Sequence, residues 1–329
     1  MNKLPLALAS VMIAGGLVAA SQASIQPRSL AQTEQAASVL RVKPTRPTHK
    51  PSPSPSPSPS PSASPSPTVL PPTLAAAGDV SCQSGNDNAG TTCRAGDTGN
   101  LIRNAAVRKV LALGDLQYEV GAYSEFVNAY TPSWGSFKDK TVPVPGNHEY
   151  GTSGATGYYD FWGTQGRRDL HGFQDFTVDS WRVFGLNTNC DKIDCAAEVA
   201  RIDTALTATP TRCVLVYGHH PIYSSGSHGN TAWMAQFRTI FNKHGVDLYL
   251  AGHDHDYERF GRVGIDSFRQ FVVGTGGKSM YAFSTVQTGS QTRISQYGVG
   301  FFTLNSGWYG WDFQDIYGSI LDTGAGSCV

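Results

Sequence analysis

Five short apolar runs each close on a loop in which glycine is followed at once by an oxygen or imidazole side chain. Leu74–Ala77 runs into Gly78-Asp79, Val110–Leu113 into Gly114-Asp115-Leu116-Gln117-Tyr118, and Thr141–Val144 into Pro145-Gly146-Asn147-His148-Glu149. Cys213–Tyr217 precedes Gly218-His219-His220-Pro221, and Val246–Ala251 precedes Gly252-His253-Asp254-His255. Runs of this length, flanked by glycine and asparagine, read as buried strands, as do Val183–Leu186, Phe271–Val273 and Phe301–Leu304. Helical spacing appears between them at Ala196–Ala208 and at Thr231–His244, where Trp233, Phe237, Ile240 and Phe241 fall on one face and Gly245 ends the segment. Strands alternating with helices indicate an α/β domain, and such domains bind ligands in the loops beyond the carboxyl ends of their strands.

The rest of the chain is a different kind of object. Of 19 prolines, 14 lie at or before Pro72. Lys3, the apolar stretch Leu4–Ala20 and the small-residue site Ser21-Gln22-Ala23 predict a secretory signal over residues 1–23. The apolar stretch is marginal for crossing a bilayer core of ~30 Å. Residues 24–73, with the Pro-Ser alternation of Pro51–Pro67, predict a disordered linker, because proline fixes φ and removes backbone donors, favouring an extended polyproline II spacer. A role in reaching through a cell wall fits such a spacer. Residues 74–329 are then a single domain.

Charge divides at the same place. The chain is formally neutral, but residues 1–74 hold six basic side chains and Glu34, leaving 19 basic and 24 acidic residues afterwards, a net of −5. Bulk charge therefore gives no basis for a nucleic-acid partner. All six cysteines follow residue 74, an even number that in an exported chain suggests disulfides, and no CxxC pair suggests zinc. Proximity favours Cys82 with Cys93 and Cys190 with Cys195, which leaves Cys213 for Cys328.

Carboxylates, a phenol, an amide and imidazoles gathered at strand ends form a donor set for hard and borderline metal ions, and paired ions serve phosphoryl chemistry. In order, the motifs resemble the calcineurin-like metallophosphoesterase superfamily, whose pattern is GD, GD, GNH(E/D), a histidine loop and GHxH. Tyr118 in the second motif resembles the purple acid phosphatase branch. Protein Ser/Thr phosphatases carry arginine in that motif, which is absent here.

The resemblance implies a four-layer α/β/β/α sandwich, two mixed sheets flanked by helices. It implies two metal ions. Asp79, Asp115, Tyr118 and His255 would hold the first, Fe(III) by the tyrosine. Asp115, Asn147, His219 and His253 would hold the second, Fe(II), Zn or Mn, with Asp115 bridging. A ferric and divalent pair held by these anions and a bridging hydroxide keeps a surplus of about one positive charge, which draws a phosphate ester to the site. His148 is the implied general acid, with His228 in the Ser224–Gly229 loop as a second catalytic histidine. His220 falls beside the ligand positions, Glu149 orients a neighbour, and His171 and His244 are structural. Gly274–Lys278 lacks the spacing of a phosphate loop and reads as a tight turn beside the site.

The expected function is an exported phosphatase, secreted, periplasmic or wall-associated, hydrolysing small phosphate monoesters by metal-activated hydroxide attack, with no membrane span once the signal is cleaved. A phosphodiesterase or nucleotidase on the same metal pair is the rival reading. A non-catalytic wall protein is the third. The aromatic segments Tyr158–Trp162 and Trp308–Phe313 offer either a base-stacking subsite or packing against the sheets.

Overall fold

The computed structural model describes residues 74–85 and 92–328. The expected signal and Pro-Ser linker lie outside the described residues. One sheet has six strands, built from β1 (Leu74–Ala77), β2 (Lys109–Leu113), β3 (Thr141–Val144), β11 (Gly298–Asn305), β12 (Trp308–Asp315) and β13 (Ile320–Ser327), in the order β13-β12-β11-β1-β2-β3. Its β1, β2 and β3 run parallel, while β11, β12 and β13 form an antiparallel meander joined to β1. The second sheet has seven strands, adding β4 (Gln174–Val178), β5 (Trp181–Gly185), β6 (Cys213–Tyr217), β7 (Leu248–Ala251), β8 (Tyr257–Phe260), β9 (Arg269–Val273) and β10 (Ser290–Ile294), in the order β10-β8-β9-β7-β6-β5-β4. There β5, β6, β7 and β9 are parallel and β4, β8 and β10 antiparallel. These two mixed sheets flanked by helices are the expected fold class.

The central strands read as unbroken apolar runs because both of their faces are covered. Along β6, Cys213, Leu215 and Tyr217 join the large cluster that also takes in Leu111, Phe271 and Phe302 from both sheets. Val214 and Val216 turn the other way, onto Ile202 and Leu206 of the helix Cys195–Ala208 and Phe237 and Phe241 of the helix Ala235–Lys243. A parallel strand sandwiched in this way cannot show polar alternation. Each fully buried Leu, Val or Phe contributes roughly 1.5–3 kcal/mol.

The helix expected over Thr231–His244 is broken. A 3-10 turn, Ala232–Met234, precedes the helix Ala235–Lys243, and Gly245, at φ 62°, ends it as expected. Trp233 leaves the apolar face assigned to it. It is 38% exposed, donates from Nε1 to the Thr188 carbonyl at 3.0 Å and meets the His220 ring edge-on. The aromatic segments form core rather than a subsite: Trp162 packs with Tyr130 and Tyr158, and Tyr309, Trp311 and Phe313 alternate inward along β12. The three favoured disulfides are formed, and Cys213–Cys328 ties β6 of one sheet to the residue after β13 of the other. No helix among the described residues is long and apolar enough to cross a membrane.

Candidate metal centre

The parallel strands of both sheets deliver their carboxyl ends to one place. Asp79 follows β1, Asp115 and Tyr118 follow β2, Asn147 and His148 follow β3, His219 follows β6, and His253 and His255 follow β7. Close approach requires glycine between them: a Cβ on Gly146 would lie 2.2 Å from Asp115 Oδ1. Asp79, Asp115 and His253 occupy left-handed backbone at φ 58°, 50° and 75°. Such conformations cost on the order of 1–3 kcal/mol each for a residue with a side chain. Hydrogen bonds hold them there, His148 N–H donating to Asp115 Oδ1 at 2.8 Å and His253 N–H to Asp79 Oδ2 at 2.9 Å.

All seven residues expected to hold metal converge, in two groups that share one atom. Around Tyr118 Oη stand Asp79 Oδ1 at 2.8 Å, His255 Nε2 at 2.9 Å and Asp115 Oδ2 at 3.1 Å. Around His219 Nε2 stand Asn147 Oδ1 at 3.0 Å, His253 Nδ1 at 3.2 Å and the same Asp115 Oδ2 at 3.2 Å. Asp79, Asp115 and His255 are buried with Tyr118 and His219, while His253 and Asn147 are half-buried at the mouth.

Outer hydrogen bonds select the tautomers. His219 Nδ1 lies 2.9 Å from the Leu113 carbonyl and His255 Nδ1 lies 2.6 Å from that of Ser279, so each ring donates there and turns the Nε2 lone pair inward. Lone pairs of His219, His253 and Asn147 then face one another beside a carboxylate. Three acceptors also crowd the single phenol hydrogen of Tyr118. A donor set of this kind is satisfied by cations, and its mixture of oxygen and imidazole nitrogen fits transition-metal ions.

The proton affinities follow the same field. Burial pulls His219 down, but the Asp115 and Asp79 carboxylates outweigh it and raise the imidazole to about 9, so a proton competes with a metal cation for the inward Nε2. Burial pushes Asp115 up, and His219 more than reverses it, holding the carboxyl well below its ordinary range. Burial, then the Asp115 and Asp79 charges, push the Tyr118 phenol well above its usual value. His253 is depressed by burial and by His219 and His220.

The two candidate catalytic histidines flank this cluster. His148 tilts against the Tyr118 ring at 4.2 Å, with Nε2 3.9 Å from Asp115 Oδ2 and Nδ1 2.6 Å from the Glu119 carbonyl. His228 is exposed and stacks on His253 at 4.3 Å, edge-on to Tyr281 at 5.5 Å. His220 lies behind His253, bonded at Nδ1 to Thr188 Oγ1 at 3.0 Å. His171 and His244 lie elsewhere, His244 paired with Asp203 at 2.6 Å and His171 in left-handed backbone after the turn Arg168–Leu170.

Glu149 is a brace, as its position suggested. Its buried carboxylate accepts the amides of Asp115 (2.9 Å), Gly146 (2.6 Å), Leu116 (2.8 Å) and Gln117 (3.2 Å), tying the loop after β2 to the loop after β3. Burial and then Asp115 raise its acid to about 8, against the pull of those amides. Glu149→Gln turns an NH2 group against two of the four donors, at about 1–3 kcal/mol for each orphaned amide. The expected result is a melting temperature lower by several degrees, read by thermal denaturation; an unchanged melting point would mean that the carboxylate does not hold the loops.

Sequence reasoning passed over Tyr281 and Asp254. Tyr281 lies flat on His255, with ring centres 3.9 Å apart and an 8° angle between planes, in a loop with no periodic pattern to mark it. Asp254 fills the variable place in the GHxH motif, and its carboxylate accepts Ser224 Oγ at 2.5 Å and His228 N–H at 2.8 Å, anchoring the His228 loop.

The calcineurin-like phosphoesterase family profile matches residues 74–257, the stretch that carries every loop of the cluster. The chain belongs to that family. The chain is 32% identical over 125 residues to purple acid phosphatase 3 of Arabidopsis thaliana, covering 36% of this chain and 34% of that protein. It is 41% identical over 54 residues to tartrate-resistant acid phosphatase type 5 of Homo sapiens, covering 16% of this chain and 17% of that one. The matched stretch thus spans about a third or less of these relatives' own length. Among solved structures, purple acid phosphatase PPD1 from yellow lupin seeds superposes with a TM-score of 0.60 at 18% identity, covering 77% of this chain and 53% of that one. GAP50, the anchor in the inner membrane complex of Plasmodium, superposes with a TM-score of 0.59 at 19% identity, covering 78% and 88%. These likenesses establish the fold, and function has to be argued from the site.

Proposed function

We propose that this phosphoesterase is an exported phosphatase that hydrolyses small phosphate monoesters at a pair of metal ions. Asp79, Asp115, Tyr118 and His255 hold Fe(III), and Asp115, Asn147, His219 and His253 hold Fe(II), Zn or Mn. The observation that carries this reading is the single oxygen Asp115 Oδ2, 3.1 Å from Tyr118 Oη and 3.2 Å from His219 Nε2, common to both groups. When bound, such a pair acidifies water into a nucleophile at neutral pH and polarises the phosphoryl oxygens.

The chain's own residues supply the remainder. His148 is anchored through Nδ1–H on the Glu119 carbonyl with Nε2 turned toward the cluster, and in its imidazolium form it would give the Nε2 proton to the departing alkoxide and be left as the neutral ring still bonded to that carbonyl. His228, at the mouth on His253, contacts the substrate phosphate. Export is supported by the N-terminal signal pattern together with three disulfides, which persist in oxidising compartments.

Hydrolysis of an aryl phosphate compared with a bis-aryl phosphate tests the substrate class: the monoester is expected to react faster, and a preference for the diester would move the assignment to phosphodiesterase. His148→Ala is expected to slow an alkyl phosphate by about 10²-fold or more while slowing an activated aryl phosphate far less, because only the poor leaving group needs the proton. Equal losses on both would make His148 a substrate-positioning residue.

A further inference from the structure

The turn after β9 brings a cation against the face of Tyr118. Lys278 Nζ lies 4.6 Å from the centre of the Tyr118 ring, and its side chain is 19% exposed. The backbone fixes it in place: Lys278 N–H donates to the Asp79 carbonyl at 2.9 Å, and the residue forms a bridge with Cys93, which is disulfide-bonded to Cys82. Nζ is also paired with the carboxylate of Glu119, the residue directly after Tyr118, and that carboxylate is far more open to water at 46% exposure. The phenol ring therefore has an ammonium over its face and the compensating anion in a better-solvated position.

A charge over the ring acts on a phenolate more strongly than on a cation held at Oη, since the interaction falls with distance and is screened less where water is excluded. We propose that Lys278 is a positioning residue for the Tyr118 phenolate: its ammonium stabilises the ionised ring and so sets the energy of phenolate-to-metal charge transfer. This rests on the reading that Tyr118 binds Fe(III).

The test is the visible spectrum of the full protein loaded with Fe(III), for the wild type, Lys278→Met, Lys278→Arg and Glu119→Gln. Without the ammonium the donor level of the phenolate rises, so the band of Lys278→Met is expected at longer wavelength. Lys278→Arg keeps the charge and stays near the wild type. Glu119→Gln removes the neutralising partner and is expected at shorter wavelength, which keeps the test decisive if Lys278→Met does not fold. A coloured wild type whose band stays unmoved in Lys278→Met or, failing that variant, in Glu119→Gln overturns the role of Lys278 and leaves Tyr118 as an iron ligand. A colourless iron-loaded wild type overturns the Tyr118 reading and this inference with it.

Discussion

Asp115→Asn is expected to reduce aryl phosphate hydrolysis by at least about 10³-fold, equivalent to ~4 kcal/mol of barrier, and to release metal from both positions. The side chain has two duties. Oδ1 accepts the His148 amide at 2.8 Å, and Oδ2 is the oxygen shared by the two groups. An asparagine that keeps its carbonyl oxygen on the His148 amide must place NH2 where Oδ2 was, a donor facing the inward lone pair of His219 Nε2. That hydrogen bond occupies the metal's place. The lost negative charge also removes the strongest attraction for positive charge at His219. The chain should still fold, since the substitution keeps volume and the His148 bond. Metal content and kcat/KM measured on one sample check this; a variant that retains both metals and loses less than about tenfold would remove Asp115 from the bridging role.

Tyr118→Phe is expected to abolish the visible colour of the iron-loaded protein completely. Burial, then Asp115 and Asp79, hold the phenol far above its usual range, so an ionised Tyr118 demands a highly charged cation in direct contact with Oη. Phenolate-to-iron charge transfer vanishes with that oxygen. Phenylalanine fits the same buried space, leaving Asp79 Oδ1 without its donor at 2.8 Å, so the loss of colour is not expected to come from unfolding. Absorbance and iron content of the two proteins side by side decide it. An iron-free wild type that is colourless and fully active would sink the iron assignment.

The site was legible because its chemistry sits where covered parallel strands end: β6 is apolar on both faces, and the first side chain after it that could not be core was His219. The same pairing of apolar run and polar loop marked Asp79, Asp115, Asn147 and His253. Strands without that contrast were missed. β10 carries Ser, Gln, Thr and Arg before Ile294, and β8 places Glu258 in the interior, where it is satisfied by Ser225 rather than by an apolar neighbour. β13 mixes glycine with threonine and aspartate at the edge of its sheet. Along β12 the period-two pattern of Tyr309, Trp311 and Phe313 was present but read as an aromatic segment. Trp233 had helical spacing with Phe237, yet its indole N–H found the Thr188 carbonyl and drew it off the core. The turn Gly274–Lys278 was placed beside the site, and Lys278 N–H does meet the Asp79 carbonyl, but the seat of its ammonium on the Tyr118 ring and the stacking of Tyr281 on His255 could not be read, because both come from the path of the chain after β9.

The most direct measurement is metal stoichiometry against activity for the purified protein. Elemental analysis is expected to return two metal ions per chain, one of them iron, and a chelated sample should lose aryl phosphate hydrolysis in proportion to the metal removed and recover it on reloading. Full activity after complete metal removal, or a purified active protein with less than one ion per chain, would contradict the proposed two-metal phosphatase.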